Sequence, residues 1–70
     1  MSTYILEGYG FDCRIEEGAL STLFIDGENV LTSSSPKQLI GFMSWGKTGH
    51  PGWDEPGNRA VPPIEQWRKV

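Results

Sequence analysis

The chain has 70 residues, a net charge of −3, one Cys, one His, nine Gly and five Pro. A chain this short is one small domain; its lone Cys closes no internal disulfide, and one Cys with one His does not complete a Cys/His structural zinc site. No apolar run approaches the ~20 residues of a membrane span, and the opening residues lack a basic segment followed by a long apolar stretch, which points to a reducing cytoplasm.

In chain order, Thr-Tyr-Ile-Leu-Glu at 3–7 is rich in strand formers, and Gly8-Tyr9-Gly10 permits a turn. Residues 11–16 alternate strictly, with Phe11, Cys13 and Ile15 on one side and Asp12, Arg14 and Glu16 on the other. Period two is the pattern of a half-buried strand. Glu17-Gly18 closes it. Two further strands are predicted at 20–25 and 29–32, joined through Asp26-Gly27, a hairpin signal because a type I′ turn needs positive φ at both central residues. With Leu23, Ile25 and Val30 on one face and Leu20, Phe24 and Leu31 on the other, this hairpin reads as apolar on both sides.

A helix is predicted over 36–45. Ser35 suits the N-cap, Pro36 the first helical position, and Gln38 the third position of a capping box. Leu39, Ile40, Phe42 and Met43 form its apolar stripe, Gly46 suits a left-handed terminus, and Gly41 costs ~1 kcal/mol relative to Ala. Residues 46–63 are rich in Gly and Pro and fit no regular element, yet Trp53 argues against pure disorder. Ile64 and Trp67 align at i, i+3 after Pro62-Pro63. The expected fold is α+β: a three- to four-stranded antiparallel meander against one short helix (1–46), followed by an extended Gly/Pro/Trp-rich tail (47–70) that packs on this core or on a partner.

Chemistry-bearing patterns are weak. His50, Asp54 and Glu55 lie within six residues but match no ligand spacing and read as loop residues. Gly41-x4-Gly46-Lys47-Thr48 matches a phosphate-loop pattern literally, but a helical pattern occupies the loop, and Pro/Gly-rich chain follows where the motif needs a helix. Cys13 alternates inward and reads as a small core residue; Ser33–Ser35 read as a cap. No cofactor, metal or catalytic set is assigned, and an enzyme is the least favoured class.

Charge is uneven. Residues 1–35 hold six acids against Arg14, or −5; residues 36–70 hold five basic residues against three acids, or +2. Direct nucleic-acid binding is disfavoured without a Lys/Arg cluster. A chain of this size gains only ~3–5 kcal/mol from one core, and a hairpin apolar on both faces needs more cover than one helix provides. The expectation is therefore a non-enzymatic, acidic protein-interaction module, in the manner of a phage or mobile-element accessory or inhibitor protein. It would occupy a larger partner, such as a nucleic-acid-binding protein, with Asp12, Glu16, Glu17, Asp26 and Glu28 facing a basic patch and Trp53, Trp67 and Arg68 at the contact. A self-associating structural protein, or a weak single-stranded nucleic-acid binder through the Trp- and Arg-bearing C-terminal half, are the alternatives.

Overall fold

Short links between strand-forming runs leave neighbours in sequence as neighbours in space. In the computed structural model, which describes residues 2–70, β1 (Ser2–Leu6), β2 (Cys13–Glu17), β3 (Ser21–Ile25) and β4 (Glu28–Ser33) form an antiparallel meander. Helix α1 (Pro36–Trp45) follows, then a single turn of helix, α2 (Pro51–Asp54), and a 3-10 turn at Ile64–Gln66. The chain closes with β5 (Arg68–Lys69), antiparallel to β1, so the sheet order is β4-β3-β2-β1-β5. The fold is α+β, a meander with one main helix.

Turn and cap chemistry follow the residues. Asp26 and Gly27 adopt φ of 53° and 81°, joining β3 to β4 through a two-residue loop of the expected hand. Ser35 caps α1 by accepting from Gln38 N–H at 3.3 Å, and Gly46 ends it at φ 66°. The Gln38 side chain does not return to the Ser35 backbone as a capping box would; it accepts the Ser33 and Ser34 hydroxyls instead.

One face of the sheet carries the core. Leu6, Cys13, Ile15, Leu23 and Ile25 meet Leu39 and Met43 of α1 and, from the C-terminal segment, Trp53 and Trp67. That segment is ordered by its tryptophans. A buried indole N–H needs an acceptor, and Trp53 Nε1 donates to Met43 O at 2.9 Å while Trp67 Nε1 donates to Pro62 O at 3.0 Å. Arg59 lies over the Trp53 ring at 4.4 Å and donates through Nε to Trp53 O at 2.9 Å. Tail and helix thus share the cover of a single face.

The expectation of a second apolar face is overturned. A bulge between Leu23 and Phe24 pairs Leu23 with Leu31 and Phe24 with Asn29, leaving Val30 as the extra residue, so Val30 and Leu31 both pack on the core. Leu20 leaves the strand for the β2–β3 turn and stands 60% exposed. The register gives the outer face Thr3, Ile5, Arg14, Glu16, Thr22, Phe24, Asn29 and Thr32. Only Ile5 and Phe24 among these are large apolar residues, and Arg14 lies over the Phe24 ring at 4.4 Å. No further cover is demanded by this face. Among the described residues no helix is long and apolar enough to cross a membrane.

Candidate interaction surface

The residues that suggested chemistry are engaged in holding the loop around Trp53. His50 caps α2 by accepting from Trp53 N–H through Nδ1 at 3.1 Å, and its ring meets Phe11 edge-on at 5.6 Å. The Asp54 carboxylate accepts from Thr48 N–H at 3.1 Å, Thr48 Oγ1–H at 2.8 Å and Gly49 N–H at 2.8 Å. Burial acts to raise the Asp54 pKa, but these hydrogen bonds and the neighbouring His50 outweigh it and hold the carboxyl below its ordinary value. Glu55 is exposed. Gly41 to Trp45 of the phosphate-loop pattern lie within α1, and the Thr48 hydroxyl is turned to Asp54, so no cradle of backbone N–H groups forms there. Cys13 is buried, and burial, with Asp26 and Asp12 nearby and Arg59 opposing, pushes its thiol up to about 12. Among the described residues no three His, Cys, Asp or Glu side chains gather as metal ligands would.

The acidic residues do not form one patch. Asp12, Asp26 and Glu28 sit at one end of the meander, where Asp12 N–H donates to Asp26 Oδ1 at 2.9 Å and Asp26 N–H donates to Asp12 O at 2.8 Å. Glu16 and Glu17 lie at the other end of β2, about 13–16 Å away along the strand. The C-terminal half is rearranged as well. Trp53 is 0% and Trp67 4% exposed, so both rings are committed to the core and neither is free to enter a partner's pocket. Arg68 stands beside Glu7 at 3.3 Å, and Arg14 Nε lies 3.1 Å from Glu16 Oε2, within ion-pair reach but without the alignment of a hydrogen bond. The two arginines on the open sheet face therefore each have an acid beside them, and two of the three tryptophans of the C-terminal half, Trp53 and Trp67, are inside the protein.

The remaining surface of distinct character is the outer side of α1. Leu39 and Met43 turn toward the sheet. Gly41, two residues from each, lies about 160° away around the helix and marks its outward pole. Trp45, four residues on, is 60% exposed and meets Phe42 edge-on at 6.1 Å. A Cβ built on Gly41 would touch nothing within 4 Å, so the glycine is not there to let α1 approach the sheet. Grooves flank it on both sides. One, of about 400 Å³, runs between Lys37, Ile40 and Gly41 on the helix and Val61, Pro63, Ile64 and Glu65 on the tail. The other, of about 510 Å³, lies between Lys37, Gln38 and Gly41 and the Phe42–Trp45 pair.

Composition alone does not set Trp45 apart from Trp53 and Trp67. The signal was in the helical wheel: Trp45 falls outside the Leu39-Ile40-Phe42-Met43 stripe, and Gly41 falls opposite it. Comparison with protein-family models, with curated proteins and with solved structures finds no match to this chain.

Proposed function

We propose that this protein is a non-enzymatic protein-interaction module and that the outer side of α1 is its contact surface. The observation that carries the reading is Trp45, a large aromatic left 60% exposed on a helix crest beside an unfilled Gly41, in a chain whose other two tryptophans are buried. Exposed aromatic anchors next to grooves are the usual centres of binding energy. The acids lie at the two ends of the sheet rather than on α1, so they do not form this contact. The small, acidic character of the chain suits an accessory or inhibitor protein of phage or mobile-element type.

The test is a photo-crosslinking amino acid placed at position 37, on the crest of the α1 surface, and separately at position 22, on the open sheet face, in cells that make the protein. Adducts from position 37 and none from position 22 are expected. Adducts from position 22 alone, or from neither, refute the assignment of the surface.

A further inference from the structure

We infer that the occupant of the α1 surface is a second copy of this chain, packed helix against helix across Gly41. This rests on reading the outer side of α1 as the contact surface. Lys37, Gly41 and Trp45 form one i, i+4, i+8 row along the helix crest. Rows of this kind are the ridges that interdigitate when helices pack, and their closest approach is set by the side chains at the crossing point. Here the crossing point is a bare glycine with open space above it, so two such crests meet most closely at Gly41.

The row is also complementary to itself in one orientation only. A two-fold axis perpendicular to α1 at Gly41 brings Lys37 of one copy to Trp45 of the other, and the reverse, because positions four before and four after the axis exchange. An ammonium over an indole face is attractive. The parallel arrangement would set Lys37 against Lys37 and is opposed by charge. Lys37 forms no ion pair within its own chain among the described residues, so its charge is available. The two grooves beside Gly41 give room for the neighbouring copy's Phe42 and Trp45.

Size sets the strength. The molecule measures 31 × 21 × 20 Å, so even its broadest face, about 650 Å² when taken as flat, falls short of the ~800 Å² per partner of a standard interface. One helix crest occupies only part of that face, so the contact falls below the ~1,200 Å² total of standard interfaces, and we place the dimer among weak associations with a dissociation constant of the order of micromolar.

Sedimentation equilibrium on the full chain from about 5 to about 500 µM, the range that brackets such an affinity, should show a reversible monomer–dimer equilibrium. Trp45→Ala and Lys37→Glu should each weaken it, the former by about tenfold or more. Gly41→Cys under mild oxidation should give a disulfide-linked dimer of twice 7.8 kDa, whereas Thr22→Cys should not; buried Cys13 does not compete. A monomer throughout the range overturns the inference, as does a dimer that ignores Trp45→Ala and forms no 41–41 disulfide. The wider reading fails separately: heavier adducts from position 37 with a monomeric pure protein reject the second copy but keep the surface, and no adduct at all rejects the surface.

Discussion

Replacing Gly41 by alanine should strengthen the fold while loosening the contact made across it. Glycine inside a helix is about 1 kcal/mol less favourable than alanine, because it surrenders more backbone freedom on folding. That gain is often cancelled where the added methyl collides with a neighbour. At Gly41 it would meet nothing within 4 Å, and no positive φ marks the position. The full helix-propensity difference should therefore appear as added stability, about 1 kcal/mol, which for a domain of this size raises Tm by roughly 4–8 °C. Urea unfolding followed by far-UV circular dichroism is the assay, with a higher midpoint and an unchanged slope as the expected result. Gly46→Ala is the internal contrast. Its Cβ would fall 2.0 Å from Gly57 O, at φ 66°, so the same chemical change there must destabilise. If Gly41→Ala leaves stability unchanged or lowers it, the glycine has a structural duty within the monomer, and its place in a contact surface loses its support.

Three further outcomes follow from the packing. Trp53→Ala removes the largest fully buried side chain and frees Met43 O, at a cost of about 3–5 kcal/mol, which equals the whole stability such a small core supplies; the variant should show no cooperative thermal transition. Cys13, with its thiol raised to about 12 and its side chain enclosed, should resist Ellman's reagent at pH 8 in the native protein and react fully in denaturant; rapid native reaction would contradict the burial. Asp54 has a folded-state pKa below its ordinary 3.8, so its contribution to stability is complete above that value and is lost as pH falls through the lowered folded value. Asp54→Asn should destabilise the protein at pH 7 and flatten this acid-side loss, and parallel stability–pH curves for the two proteins would refute the assignment.

What could be read from the residues was the local chemistry. Alternation at 11–16 gave β2, Asp26-Gly27 gave the hairpin, and Ser35-Pro36 with Gly46 bounded α1, because each signal acts within a few residues. What could not be read was long-range. The bulge that turns Val30 and Leu31 inward together depends on how β4 registers against β3, and one residue of slip exchanges the faces. The two residues of β5 carry no pattern of their own and pair with β1 only because Trp67 is drawn into the core beside them. Trp53 was legible as a residue that would bury itself, but not where; its site depends on Met43 O, Arg59 and the His50–Asp54 loop meeting at one place. The same distance effect divided the acids, which are close in sequence but are set at opposite ends of an extended strand.

The exposed crest of α1 is best understood against the thinness of the core. In a domain this small, each large apolar side chain that can be enclosed adds a meaningful share of the total stability. The chain encloses Trp53 and Trp67 and gives each indole N–H an acceptor, yet leaves Trp45 standing out from the helix with glycine one turn before it. Neither position is used fully by the monomer: alanine at 41 would improve the helix, and Trp45 encloses only the smaller part of its surface, against Phe42. Two adjacent positions on one crest that are each suboptimal for folding have a common physical account if that crest is covered when the protein works. Stability alone then predicts the behaviour of the double variant Gly41→Ala, Trp45→Lys. It should be more stable in urea than Trp45→Lys alone, by the ~1 kcal/mol that alanine restores to the helix, and it should no longer associate.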